Sequence, residues 1–311
     1  MFLRISTFFV SGLLLALVGF SGCSGSSTSS LSEGDGAALG ARPVDSTTAP
    51  YVEPMFPRDL SAKDESTGAF LTKSASFGKV GQQAIPLPPV ADLVAQADDY
   101  LAKIGTTLEE LDGTANYKKD ADAVIRDASG LALVALAIGL SPEDSKYKKA
   151  APGIIEAALA LEKVEKLDAA NKAYAALKVA FASSGDPTTL SWTKVADLGP
   201  VMKAVPNLDS AVKRLSNTES KLKKGPDKVA PLLAGLAAIA QGSMANFAET
   251  VKPDAEAEWK KECELFRDAA VKANAAVHDF VEGAATHADF QAAYDKLAET
   301  CDSCHKIFQP K

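Results

Sequence analysis

The segment CDSCHKIF, Cys301 to Phe308, holds two of the chain's four cysteines and one of its three histidines within five positions. Two thiols three residues apart, with an imidazole directly after the second, form C-x-x-C-H, the attachment pattern of a c-type haem. On a helix, residues three apart share a face. Cys301 and Cys304 can therefore reach the two vinyl groups of one haem while His305 is carried under the iron as its proximal ligand. The expected cofactor is one covalently attached haem c. Two other chemistries use thiols at this spacing. A thioredoxin-like pair wants a βαβ context in which the first Cys opens a helix, whereas this motif closes a long helical stretch. Zinc would need further, spatially separate ligands in tetrahedral geometry, and Cys263, His278 and His287 are the residues able to volunteer.

Compartment bears on that choice. The chain opens MFLRISTFFVSGLLLALVGFSGC, with one basic residue, Arg4, then an uncharged apolar run that ends in small residues before Cys23. Such a run is short for a spanning helix and reads as an export signal over residues 1–23. Its end, FSGC, resembles a bacterial lipobox, which implies lipidation at Cys23; Phe20 departs from the small aliphatic residue usual there, and ordinary signal cleavage is the alternative. Either route places the protein on the periplasmic or cell-envelope side, where bacterial c-type haem is attached. Lipidation would make it membrane-associated. Residues 24–88 are rich in Ser, Gly, Thr and Pro without sustained period and read as a flexible linker, with a reach of roughly 40–50 Å.

Beyond residue 89 the chain is Ala, Leu, Lys, Glu and Asp in helical spacing, which predicts an all-α region. The net charge of -7 argues against nucleic acid as a partner. No nucleophile with its base, catalytic carboxylate pair or phosphate-cradling glycine loop stands out, so an enzyme is not expected.

Four segments recur in the same order. LPPVADLVAQADDYL from Leu87 resembles LGPVMKAVPNLDSAV from Leu198, and DAVIRDASGLALVAL from Asp122 resembles DKVAPLLAGLAAIAQ from Asp227. YKKAAPGIIEAAL from Tyr147 lines up with WKKECELFRDAAV from Trp259, and AYAALKVAFASSG from Ala173 with AYDKLAETCDSCH from Ala293. The expectation is two four-helix up-down-up-down bundles in tandem, a haem-less one over residues 89–186 and a haem-bearing one over 187–311. Shared composition of Ala- and Lys-rich helices is the alternative account. In the first copy the positions of Cys301, Cys304 and His305 fall on Phe181, Ser184 and Gly185, which cannot hold a c-type haem.

The second copy resembles the class II c-type cytochromes of the cytochrome c prime group, on EWKKECELFRDAAVKANAAV, a loop, and HADFQAAYDKLAETCDSCHKIF. Trp259, Phe266, Phe290, Leu297 and Phe308 match the aromatic and apolar positions of such tails. The resemblance implies an antiparallel four-helix bundle with the haem inside one end, and electron transfer as the usual role. Reversible binding of nitric oxide or carbon monoxide is the alternative it allows. A scaffold in which haem is mainly structural is the other, favoured by the haem-less copy. The partners expected are a redox protein and a second copy of the chain.

Bundle topology brings residues near Met202, Met244 and Trp259 to the haem end. A methionine thioether is a natural soft sixth ligand. Met202 is the first candidate, since its counterpart in the haem-less copy is Ala91, and Met244 the second; Pro206, four residues on from Met202, is expected to break or begin the helix there. His287 stands 18 positions before His305, about 27 Å along a continuous helix, and with His278 is expected at the surface or between helices. Cys263 is expected to be buried as a small hydrophobe.

If Cys23 carries lipid, Cys23→Ala should move the protein from the membrane to the soluble fraction on cell fractionation; retention as firm as wild type would refute lipidation.

Overall fold

The structure, a computed structural model, describes residues 85–111 and 117–308; the expected export signal, Cys23 and nearly all of the linker lie outside them. All regular structure in the described residues is helical. In chain order come α1 (Val90–Glu110), the single turn α2 (Tyr117–Asp120), α3 (Asp122–Leu140), α4 (Ala151–Glu162) and α5 (Leu167–Phe181). There follow α6 (Leu198–Ser216), the short α7 (Glu219–Lys224), α8 (Pro226–Ser243), α9 (Glu256–Val281) and α10 (His287–Phe308).

The helices divide into two sorts by their apolar pattern. α1 buries Leu93, Ala97, Tyr100, Ile104 and Leu108, spaced three and four apart, and α6 buries Val201, Ala204, Leu208 and Val212 in the same way. These are one-sided helices with a single apolar stripe. α3 and α8 differ: Asp127 to Gly139 and Val229 to Ser243 are buried without a break. Such helices must be surrounded by others. By length and composition both Asp122–Leu140 and Pro226–Glu249 could cross a membrane, but 78% and 89% of their apolar windows lie buried inside the fold.

Sequential neighbours pack on one another. α1 lies on α3, α3 on α4, and α4 on α5, which returns to α1; in the later half α6 lies on α8, α8 on α9, and α9 on α10. The four recurring sequence segments begin at or near α1 and α6, α3 and α8, α4 and α9, and within α5 and α10. The core does not stop at residue 186. α3 packs against α6 and α8, α1 packs against α8, and one apolar cluster runs from Leu93 to Leu297. Residues Gly78–Lys311 accordingly form one compact unit.

Two contacts fix that junction. The carboxylate of Asp92 on α1 accepts hydrogen bonds from Asn274 Nδ2 at 2.8 Å and His278 Nε2 at 2.7 Å, both on α9. Asn274 also donates to the Ala230 carbonyl at 2.9 Å. At the other end of α8, Gly242 lies against Leu133 of α3 so closely that a β carbon would collide with the leucine side chain.

α6 corrects one expectation. It runs unbroken through Pro206, neither starting nor stopping there. A proline inside a helix removes one hydrogen bond, and the buried stripe on either side of it holds the helix together regardless.

Gly242→Val should destabilise the full chain by about 1–3 kcal/mol through overpacking at the α3–α8 contact, read as a lowered midpoint in thermal unfolding followed by circular dichroism.

Candidate functional site

The motif's position is set at the opposite end of its helix. Thr286 and Asp289 form a capping box: Thr286 N donates to the Asp289 carboxylate at 2.7 Å and Asp289 N donates to Thr286 Oγ1 at 3.3 Å. The preceding turn depends on Gly283, whose φ of 74° is in the left-handed region that favours glycine. From that cap α10 runs 22 residues, so the two thiols and the imidazole fall in its last turns.

Between the caps and the motif, α10 is tied to α6. His287 Nε2 and Gln291 Nε2 donate to the Ser216 carbonyl at 2.8 and 3.2 Å. Tyr294 OH bonds the Asp209 carboxylate and its carbonyl. Among the described residues no hydrogen bond joins the two helices beyond Tyr294 toward the motif, and there a cavity opens between them. Its volume is about 190 Å³, below the roughly 300–1,000 Å³ usual for small-molecule and cofactor sites.

Four helices wall this cavity. α6 contributes Met202, Val205, Pro206 and Asp209, α8 Ala240 and Ser243, α9 Trp259, Glu262, Cys263 and Phe266, and α10 Thr300, Cys301, Cys304 and His305. Pro206 shapes the α6 wall, because without an N–H it leaves the Met202 carbonyl short of its helical bond. The corner between α8 and α9 is locked by Trp259, whose Nε1 donates to the Ser243 carbonyl at 2.8 Å and whose ring meets Phe308 edge-on at 5.2 Å. A second hollow on the far side shares Met202, Pro206, Trp259, Cys304 and His305.

Cys301, Cys304, His305 and Met202, expected to act together, are thus brought to one cavity. Met244 packs against the Trp259 and Phe308 cluster instead of lining it. His278 and His287 stand away from the cavity and bridge helices. Cys263 is buried, and its side also faces the cavity. At the corresponding place in the first half the Phe181 ring meets Tyr147 edge-on at 4.8 Å, α5 ends at Phe181, and Gly185 N donates to the Lys149 carbonyl at 2.6 Å.

Cys301 and Cys304 are free thiols, half-buried. Burial pushes the Cys301 thiol up, with Asp209 and Asp302 adding to the effect. Cys304 is pushed up to about 11 by burial first, then by the Glu262 carboxylate and Cys301. Cys263 is raised by burial and by Cys304. Redox-exchange cysteines need the opposite, a stabilised thiolate. Among the described residues no group of three or more His, Cys, Asp or Glu is arranged to hold a metal ion, so no tetrahedral protein cage for zinc is assembled there. A macrocycle that brings its own four nitrogens asks the protein for only one or two axial ligands.

Six wall residues were not found by sequence reasoning, among them Glu262, Ser243 and Asp209. Glu262 carried a signal, since it follows Trp259 by three positions on α9 and shares its face. Ser243 and Asp209 carried none. Ser243 Oγ is buried without a hydrogen-bond partner and lines the cavity. Comparison with protein-family models, curated proteins and solved structures finds no match.

In the haem-free full chain, alkylation of Cys304 at pH 7 should be slow and rise about tenfold per pH unit as pH approaches 11, because only the thiolate reacts; mass spectrometry of iodoacetamide-treated protein at pH 7, 8 and 9 measures it.

Proposed function

We propose that the chain is an exported c-type cytochrome carrying one covalent haem, with electron transfer as its role. One observation carries this reading: two free thiols, the following imidazole and a methionine thioether line a single apolar cavity, while Phe181, Ser184 and Gly185 stand at the corresponding positions of the first half. The mainly apolar wall fits the faces of a macrocycle.

Each residue then has a definite task. The Cys301 and Cys304 thiols add across the two vinyl groups, so that a C–S bond forms at one carbon and the thiol hydrogen passes to the other. His305 on α10 would hold the iron of a bound haem, and Met202 on α6 would be the candidate second ligand. When bound, haem supplies a reversible one-electron couple, and a histidine–methionine ligand pair raises its potential. Trp259 and Phe266 keep water from the site. In this reading α6, α8, α9 and α10 form the haem bundle of residues 187–311, α1, α3, α4 and α5 form the haem-less bundle of residues 89–186, and Cys23 anchors the whole to a membrane.

Ser243 favours a second reading. Its buried hydroxyl lacks a partner, and a diatomic gas held at an iron with an open sixth position could provide one.

Protein matured in a host competent for haem attachment should stain for haem on a denaturing gel. Cys301→Ser and Cys304→Ser should each lose one thioether, and the double variant all covalent haem. His305→Ala should keep the thioethers and change the absorption spectrum. Ferric and ferrous spectra separate a Met202-ligated iron from one open to gas. Wild-type protein without covalent haem would overturn the cytochrome reading.

A further inference from the structure

Glu262 is 8% exposed, on the α9 wall of the cavity. One of its oxygens, Oε2, accepts a hydrogen bond from Ser303 Oγ at 2.6 Å. Ser303 lies between Cys301 and Cys304, so this bond ties the carboxylate to the motif turn itself. Among the described residues no lysine, arginine or histidine forms an ion pair with Glu262. Asp209, the other carboxylate on the wall, differs: its Oδ2 is 2.9 Å from Lys213 Nζ, and it also accepts from Tyr294.

Burying a carboxylate without a cation is costly, and the cost is recovered only when a positive charge arrives nearby. An oxidised haem iron is such a charge. Its four porphyrin nitrogens offset two of three positive charges, leaving a net positive centre, and reduction by one electron cancels it. A fixed negative charge on the same cavity wall therefore stabilises the oxidised form more than the reduced one.

We infer that Glu262 is the counter-charge of the oxidised metal centre, and that Ser303 positions it, so that the pair holds the reduction potential down. This rests on the haem reading above. It sets a specific opposition within one cavity: Met202, as a ligand, raises the potential, and Glu262 lowers it.

The test uses the full chain matured with haem, compared at equal covalent haem content, with potentials measured by spectroelectrochemical titration. Glu262→Gln keeps an oxygen to accept from Ser303 and removes the charge, so its midpoint potential should rise above wild type. Asp209→Asn, whose charge is already balanced by Lys213, should shift it less. Ser303→Ala keeps the charge and loses the tether; its shift should also be the smaller. A second measurement needs no haem. In a Cys301→Ser/Cys304→Ser background, Glu262→Gln should melt at a higher temperature than its parent, because the uncompensated charge is gone, and that advantage should vanish between haem-loaded wild type and haem-loaded Glu262→Gln with both cysteines intact. Haem-loaded Glu262→Gln with an unchanged or lower potential overturns the inference while leaving the haem reading intact. Wild-type protein that takes up no covalent haem overturns both.

Discussion

Two helices with no polar face govern this fold. α3 and α8 are buried along nearly their whole length, and a helix apolar all round is stable in water only when neighbours cover every side. Each four-helix set covers its own member on part of its circumference. The remainder is covered when α3 and α8 meet and α1 and α6 close over them. Close approach there relies on small residues, with Gly242 against Leu133 as the tightest point. The polar bonds of Asp92 with Asn274 and His278 then fix the register of α1 on α9. A displaced register would strand a buried carboxylate and a buried amide, each at the cost of an unmade hydrogen bond.

That shared centre leaves the later half free to stay open at one end. Its helices are held where α6 meets α10 near Ser216 and Asp209, and where Trp259 joins α9 to α8. Among the described residues no hydrogen bond draws α6 onto the last turns of α10 between those two clamps, and a cavity lies there. An apolar hollow of this kind costs stability in proportion to its size. At the corresponding place in the first half the Phe181 ring meets Tyr147 edge-on. Stability supplied by the common core makes an open end tolerable.

The cavity's electrostatics follow from the same geometry. Burial beside carboxylates raises the pKa of the Cys301 and Cys304 thiols, the opposite of what disulfide-exchange cysteines need.

Much of this was legible in the chain. The helical period of C-x-x-C-H put Cys301 and Cys304 on one face of a helix by spacing alone. The apolar stripes of α1 and α6 announced helices, and the HADFQ segment after its loop marked the start of α10, because periodicity is local. Tertiary structure decided what depends on partners distant in sequence. It joined the halves into one core, because all-round apolar helices show that they need neighbours without showing which. It carried α6 through Pro206, because packing on both sides outweighs one lost backbone bond. It also left Glu262 buried on the cavity wall with no ion pair to a described cation. Sequence shows that a carboxylate is present; only the placement of the described lysines and arginines around it shows that none of them pairs with it.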